Sequence, residues 1–209
     1  MKLLANIISS VFHPLFMPVF GMSFYLKYMF FLEVKPVFYK FIILVILVCT
    51  LFFPLMSILL MRSSKIISSV HMPTKEERRW PLLFGTFFFF LAYMLISYVK
   101  SPVKELNYIT IAGIATLMIC TIVNLLYKLS IHMAGIGGIT GMMVAYAPQA
   151  EINMLYVLIG MIFASGLVGF ARLQLSAHSS GQVAAGYAAG FVSQYVLLSF
   201  LSSHILQNL

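Results

Sequence analysis

Residues 132–148, HMAGIGGITGMMVAYAP, form a short apolar stretch in which glycine recurs at close intervals. Gly137 and Gly141 lie four residues apart, and Gly186 and Gly190 repeat this spacing later in the chain. In apolar helices such a spacing places small residues on one face and lets two helix backbones approach closely. The pattern therefore predicts tight packing between the helix of residues 132–148 and the helix that contains Gly186 and Gly190.

The rest of the chain is apolar enough for a membrane protein. Of its 209 residues, 62% are hydrophobic and 9% are charged, which excludes a soluble domain of this size. At about 20 residues a span, the length suits one all-α domain over residues 1–209, a bundle of six to seven transmembrane helices. The predicted spans are 13–32, 41–61, 82–99, 108–127, 133–148, 154–171 and 183–203.

The charged residues are strongly unbalanced. Thirteen lysines and arginines face five acidic residues, all of them glutamate, and the net charge is +8. Hard cations such as magnesium need several carboxylate oxygens, so a chain without aspartate does not fit the Asp-rich enzymes of prenyl or alcohol-phosphate transfer. The excess of cations suits anionic lipid head groups or phosphate substrates. We expect no metal and no cofactor.

The predicted spans place three polar loops on the side of the membrane that holds the N-terminus, here called side A. These loops are 62–80, 128–132 and 172–182. They carry most of the histidines and cations: His71, His132, His178, Arg62, Lys65, Lys75, Arg78, Arg79, Lys128 and Arg172. Three separate loops thus bring histidine and basic residues to one face, which indicates a site there. His13 and His204 are interpreted as interfacial residues.

The loop at 172–182, RLQLSAHSSGQ, has the most specific pattern. His178 and Gln182 are four residues apart and share one face if the segment is helical, so Gln182 could hydrogen-bond one imidazole nitrogen and orient the other. Histidine acts as a nucleophile, general acid or general base near neutral pH, and arginine and lysine bind phosphate oxygens. Histidines beside several cations, without carboxylate ligands, favour metal-independent phosphoryl transfer.

This loop resembles the third motif of the type 2 phosphatidic acid phosphatase superfamily, membrane enzymes that remove phosphate from lipids. The family motif S-R-x5-H-x3-D reads A-R-x5-H-x3-Q here, from Ala171 to Gln182. The resemblance implies that Arg172 binds phosphate and that His178 is the nucleophile that becomes phosphohistidine. It covers roughly residues 62–190, which would form the motif-bearing core of a phosphatase-like bundle.

The two other motifs of the family are less complete. The second, P-S-G-H, reads L-S-I-H and ends at His132. The resemblance implies that His132 is the general acid that protonates the leaving group and that Ser130 contacts the phosphate. The first, K-x6-R-P, corresponds to KEERRWP, which lacks the six-residue gap and the adjacent Arg-Pro. The resemblance implies phosphate binding by Lys75 and Arg79.

The departures from the motifs leave more than one function open. Gln182 replaces an aspartate, so it can hold a histidine tautomer but supplies no negative charge, and Ala171 replaces a serine that contacts phosphate. In the second motif, Leu129 and Ile131 replace proline and glycine. The chain is expected to be a phosphatase of lipid phosphates or pyrophosphates. The alternative is a family member with reduced or no catalysis, which binds lipid phosphates or serves as a membrane assembly partner.

A transporter or flippase of anionic lipids ranks last, because few polar residues are expected at mid-span depth. The partner is expected to be an anionic phospholipid or a polyprenyl phosphate or pyrophosphate. Phosphatidate, phosphatidylglycerol phosphate, a polyprenyl pyrophosphate and a lipid A phosphate all fit. The resemblance implies a bacterial cytoplasmic (inner) membrane. The positive-inside rule places side A in the cytoplasm, whereas the family more often has its site on the outer face, so both orientations stay open.

Overall fold

The computed structural model describes residues 1–29, 36–70, 72, 74–99, 103–150 and 152–206. Every regular element in these ranges is helical, which confirms the all-α class for this part of the chain. The elements are α1 (Lys2–Val11), α2 (Met17–Met29), α3 (Pro36–Leu47), a π-helical turn (Val48–Phe52), α4 (Phe53–Ser63), α5 (Lys75–Tyr98), α6 (Glu105–Leu126), α7 (Ile131–Tyr146), a 3-10 turn (Ala147–Gln149), α8 (Leu155–Gln174) and α9 (Ser180–Leu206).

Five helical segments within the described ranges are long and apolar enough to cross a membrane, which identifies an integral membrane protein. They are Pro36–Ser63, Lys75–Tyr98, Glu105–Leu126, Leu155–Gln174 and Ser180–Ser202. The predicted count of six to seven spans is not confirmed. The helix of the predicted first span begins later than predicted, because the chain turns at His13–Phe16 and α2 begins only at Met17. Residues 30–32, its predicted end, lie outside the described residues.

The predicted fifth span corresponds to α7, which has only 16 residues and ends at Tyr146, just before a turn that contains Pro148. Twelve of these residues are buried, so α7 is surrounded by other helices rather than by lipid. It packs against α9 most extensively, and also against α2, α6 and α8. The core of the protein is therefore built around a short central helix.

The glycines of α7 and α9 allow the two helix backbones to touch. Gly186 lies against the Ser130 carbonyl, and Gly190 lies against the Ala134 carbonyl, where a Cβ atom would overlap the α7 backbone. Gly137 and Gly141 meet the backbone of α9 in the same way. The tight packing predicted from the glycine spacing is confirmed.

The register of these contacts also sets the direction of the two helices. Ser130 pairs with Gly186 and Ala134 with Gly190, so the residue numbers rise together and α7 runs parallel to α9. Their N-termini consequently lie side by side. The backbone amide of Ser130 donates to the carbonyl of Gln182 at 3.0 Å, which ties the two starts together.

Helices α5 and α6 form an antiparallel hairpin. Ser97 and Asn107 hydrogen-bond at one end at 3.0 Å, and Lys75 Nζ donates to the Leu125 carbonyl at the other end, also at 3.0 Å. Since α6 leads directly into α7, the starts of α5, α7 and α9 lie at the same end of the bundle as the C-termini of α6 and α8. Loops from distant parts of the sequence therefore meet at this end.

We predict that Gly190→Ala lowers the free energy of unfolding by about 1–3 kcal/mol, the usual cost of overpacking, because the new methyl group overlaps the Ala134 carbonyl. Gly160→Ala is the matched control, since a Cβ atom there meets no atom within 4 Å. It should leave stability unchanged or raise it slightly. Unfolding of both variants in detergent micelles checks this, and equal stability of the two would contradict the packing.

Candidate functional site

The loop that carries His178 begins with a turn that ends α8. The amide of Ala177 donates to the Arg172 carbonyl at 3.2 Å, and Ser176 adopts a left-handed conformation with a φ of 51°. Glycine usually occupies this position of a helix-terminating turn, because a side chain is strained there. The turn reverses the chain within five residues and places His178 next to the start of α9. Arg172 and His178 are thereby held at the same end of the bundle.

His178 is 7% exposed and contacts the residue that the sequence predicts as its partner. Its Nδ1 atom lies 3.0 Å from Gln182 Oε1, and the backbone amide of Ser179 donates to the same oxygen at 3.3 Å. An amide oxygen only accepts hydrogen bonds, so Nδ1 carries the proton and donates it to Gln182. In this neutral tautomer Nε2 has a free lone pair, which is the arrangement that a nucleophilic histidine needs.

The N-termini of α7 and α9 lie beside this histidine loop. Ser130 is fully buried and caps α7, where its hydroxyl accepts the Met133 amide at 3.5 Å. The first backbone amides of a helix have no partner within the helix and carry a partial positive charge. Two parallel helices that start side by side therefore provide an anion-binding position.

His132 and Arg172 are both linked to Ser9 of α1. His132 Nε2 lies 3.2 Å from the Ser9 carbonyl, and Arg172 Nη1 donates to the Ser9 hydroxyl at 3.3 Å. The ring of His13 packs edge-on against the ring of His132 at 5.4 Å between centroids. Within the described residues, Arg172 Nε is buried without a hydrogen-bond partner. The guanidinium of Arg172 thus keeps one donor for a ligand.

Arg78 approaches these residues from α5. Its Nη1 atom donates to the Leu129 carbonyl at 3.2 Å, and its Nε atom donates to the Met72 carbonyl at 3.1 Å. These bonds leave the second terminal nitrogen for other partners. The charges of Arg78, Arg172 and Lys128 act on His178, and those of Arg172 and His178 act on His132. These five residues, Arg78, Lys128, Arg172, His132 and His178, are called the cation cluster below.

The cation cluster changes the acid–base behaviour of its histidines. The pKa of His178 is lowered to about 4, chiefly by burial and next by the positive charge of Arg78. The hydrogen bond to Gln182 acts in the opposite direction, while Arg172 and Lys128 add to the lowering. His178 is therefore neutral at pH 7, and its imidazole is available for nucleophilic attack.

The pKa values of Lys128 and His132, two other members of the cluster, are also lowered. Burial, then Arg78 and then Arg172 lower the pKa of the Lys128 ammonium group. Burial, followed by the charges of Arg172 and His13, holds the pKa of His132 well below its ordinary value. The protein thus concentrates positive charge at a partly buried place, and an anion bound there would relieve the repulsion.

The structure brings together most of the predicted site residues and separates two of them. His178, Gln182, His132, Ser130 and Arg172 meet at the cation cluster. Lys75 and Arg79 do not join it: Lys75 Nζ donates to the Leu125 carbonyl, and Arg79 is exposed on the outer face of α5. His71 lies outside the described residues.

Arg78, rather than Arg79, points into the cluster because of the helical phase of α5. Successive residues of a helix are about 100° apart, so two adjacent arginines cannot share a direction. Arg78 lies one turn before Leu82, which is buried, whereas Arg79 lies one turn before Leu83, which is exposed. The helical periodicity of α5 could therefore have indicated from the sequence that Arg78 faces the interior. No comparable pattern indicated the role of Ser9.

An apolar cavity of about 120 Å³ opens next to the cation cluster, between α2, α6 and α7. Its lining extends from Pro14 and Ile131, at the level of the cluster, to Ile109 and Met142 deeper in the bundle. At 1.5 Å a residue, the distance along α7 from Ile131 to Met142 is about 17 Å. A cavity with these walls suits a hydrocarbon chain whose polar end lies at the cluster.

Several polar side chains are buried at mid-span depth, where the sequence interpretation expected few, and three of them connect α6 with α9. Thr116 and Ser193 join α6 to α9 through a hydroxyl contact of 2.7 Å, and Gln194 Nε2 donates to Thr116 at 3.4 Å. Thr116 and Gln194 also line the apolar cavity. None of the three is ionisable, so they join helices without forming a charged pathway.

No protein-family model matches the chain, no curated protein matches it, and no solved structure matches it. Membership of the phosphatase superfamily consequently stays a prediction from the motif residues. Among the residues that the structure describes, no three His, Cys, Asp or Glu side chains are grouped so that they could hold a metal ion.

We predict that Arg78→Met raises the pKa of His178, because the mutation removes the largest charge effect on that imidazole. Arg79→Met is the matched control and should leave the value near 4, since Arg79 points away. Histidine NMR titration of the two variants and the wild-type protein, with His178→Gln for assignment, measures the shift. Equal titration midpoints in all three proteins would contradict the described cluster.

Proposed function

We propose that the protein is a metal-independent phosphatase of membrane lipid phosphates or pyrophosphates that acts through a phosphohistidine intermediate. The observation that carries the proposal is the neutral His178, whose Nδ1–H is held by Gln182 and whose imidazole is next to half-buried cations. The proposal includes a phosphatase-like bundle in which α2 and α7 complete six to seven spans, located in a bacterial cytoplasmic membrane.

The phosphate group would be bound by charge and by helix dipoles together. Arg172 offers its unpartnered Nε donor, and Arg78 and Lys128 add positive charge from two other segments. The N-termini of α7 and α9 contribute backbone amides, with Ser130 at the start of α7. Arginine donors match the geometry of phosphate oxygens, and the cations stabilise the charge of the transition state.

In the first step, His178 Nε2 would attack phosphorus, forming a P–N bond as the bond from phosphorus to the leaving oxygen breaks. His132 would donate a proton to that oxygen, which belongs to the lipid alcohol or to a lipid phosphate. A bound phosphate raises the pKa of His132, because its negative charge favours the imidazolium. In the second step, water would attack phosphorus and His132 would take the water proton. The P–N bond would break, so that inorganic phosphate leaves and His178 is restored.

Gln182 would act as a positioning residue for the nucleophile. It fixes the tautomer of His178 by accepting the Nδ1 proton, as the aspartate of the family motif would. It cannot stabilise the imidazolium by charge, and the corresponding Asp-to-Asn change in a serine hydrolase triad costs roughly 10⁴ in rate. The proposed enzyme is therefore expected to be slow, and Gln182→Asp should make it faster.

The lipid chain of the substrate would occupy the apolar cavity beside the cluster. The cavity begins at the level of Pro14 and Ile131, next to His13 and His132, and continues toward Met142. Phosphatidate, phosphatidylglycerol phosphate, polyprenyl pyrophosphates and lipid A phosphates share this combination of a phosphate and a long apolar chain. The cavity and the cluster thus select for amphipathic phosphates over soluble ones.

The second candidate is a protein that binds lipid phosphates, or assists membrane assembly, without catalysis. Two observations favour it. Gln182 supplies no charge to the nucleophile, and Ala171, at the position of a phosphate-contacting serine, is fully buried and offers no hydroxyl. In this case the cation cluster would hold a lipid phosphate that is not hydrolysed.

We predict that the purified protein releases inorganic phosphate from a panel of the four lipid phosphates with EDTA present. His178→Ala should abolish release, since it removes the nucleophile. Arg172→Met should lower the rate by a factor of about 100–1,000, the usual effect of removing one hydrogen-bond donor to the transition state. Arg79→Met is the control for lost surface charge and should retain activity.

The same assay separates the two candidates. Release by Gln182→Asp but not by the wild-type protein would support a binding site that has lost catalysis. Release that requires a divalent metal, or that survives His178→Ala, would contradict the phosphohistidine mechanism. Absence of release from both wild type and Gln182→Asp would exclude the enzyme.

A further inference from the structure

Besides the apolar cavity, a polar pocket of about 400 Å³ lies on the outer face of the α5–α6 hairpin, apart from the cation cluster. It is lined by Lys75, Glu76, Arg79, Trp80, Asn124 and Leu125. Lys75 and Arg79 are the two cations that the motif resemblance implies for substrate phosphate and that the structure places here instead. The pocket therefore contains two cations that do not take part in the cation cluster.

Hydrogen bonds hold the residues that line this pocket, and one buried acceptor among them has no partner. Asn124 is 3% exposed, and its Nδ2 atom donates to the Lys75 carbonyl at 2.7 Å. Lys75 Nζ donates to the Leu125 carbonyl at 3.0 Å, which holds the ammonium at the rim. Asn124 Oδ1 is buried and has no hydrogen-bond partner in the part of the chain that the structure describes. An acceptor left in this state indicates a place for a donor group.

The charges around the pocket have both signs. Lys75 and Arg79 are one helical turn apart and share a face of α5, where they can contact one anionic group. Glu76 lies beside them and, with Asn124 Oδ1, provides acceptors for a cationic or other donor group. The pocket thus combines a position for an anion with a position for a hydrogen-bond donor.

The surface next to the pocket is apolar and exposed. Leu83 and Phe87 follow Arg79 at intervals of one turn along α5 and are 41% and 58% exposed, and Ile122 on α6 is 62% exposed. Trp80, half-exposed, lies at the boundary between this surface and the charged rim, the usual place of tryptophan at a membrane interface. An amphipathic molecule bound in the pocket would extend its chains over these side chains.

We propose that this pocket binds the head group of an intact zwitterionic phospholipid of the phosphatidylethanolamine type. Lys75 and Arg79 contact the phosphodiester, and Glu76 and Asn124 Oδ1 accept hydrogen bonds from the ammonium group. The acyl chains lie along Leu83, Phe87 and Ile122. Choline carries no N–H donor and glycerol no positive charge, so neither head group satisfies both halves of the pocket.

The full-length protein in detergent, mixed with equal amounts of dioleoyl phosphatidylethanolamine, phosphatidylcholine and phosphatidylglycerol, tests this by native mass spectrometry. We expect the ethanolamine lipid to be retained in preference to the other two. Arg79→Met should weaken its apparent affinity about tenfold, since a charge-assisted contact is lost. Glu76→Gln should remove the preference over phosphatidylglycerol. Arg62→Met, which removes an exposed arginine outside the pocket, should change nothing.

Equal retention of the three lipids, a preference for phosphatidylglycerol, or unchanged retention by Arg79→Met and Glu76→Gln would each overturn the proposal. The test measures binding of a lipid that has no terminal phosphate. Its result is therefore independent of whether the cation cluster hydrolyses lipid phosphates.

Discussion

The hydrogen bond from the Ser130 amide to the Gln182 carbonyl joins the starts of α7 and α9, and the arrangement of the site depends on it. It can form only because Gly186 and Gly190 let the two helices run parallel with their backbones in contact. This packing places two helix N-termini beside each other and sets His178 next to them. A larger side chain at either glycine would separate the helices and, with them, the residues of the cluster.

This arrangement is electrostatically unfavourable because it brings like charges together. Arg78, Lys128 and Arg172 are brought to one partly buried place, where they lower the pKa of His178 together with its burial. Such a concentration of positive charge is unfavourable without an anion, and the helix N-termini increase it further. An anionic group bound at this position would stabilise the folded protein. We therefore expect ligand binding and stability to be coupled.

The sequence predicts the local contacts of the candidate residues better than it predicts the spans. The spacing of His178 and Gln182 anticipates their hydrogen bond, and the glycine spacing anticipates the packing of α7 on α9, because both follow from the helical repeat. The span count is not recovered, since hydropathy does not show that α7 is short and enclosed by protein. It also does not show that the chain turns between α1 and α2.

The choice between Arg78 and Arg79 shows what motif matching leaves out. Motif matching assigns Arg79, but the burial of Leu82 and the exposure of Leu83 indicate that Arg78 faces the interior. Ser9 could not be predicted, because its contacts with His132 and Arg172 join segments more than 120 positions apart. The phase of a helix is readable from a sequence, whereas packing between distant segments is set by the whole fold.

The central claim is that His178 carries the phosphoryl group, and the most direct measurement is to identify the labelled residue during turnover. The protein would be mixed with a lipid phosphate labelled with ³²P at the terminal phosphate, quenched within the first turnover and digested for mass spectrometry. The account predicts an acid-labile, base-stable label on the peptide that contains His178, with more label retained when Gln182 is unchanged than in Gln182→Ala. Phosphate release without a label on His178, or a label on another residue, would contradict it.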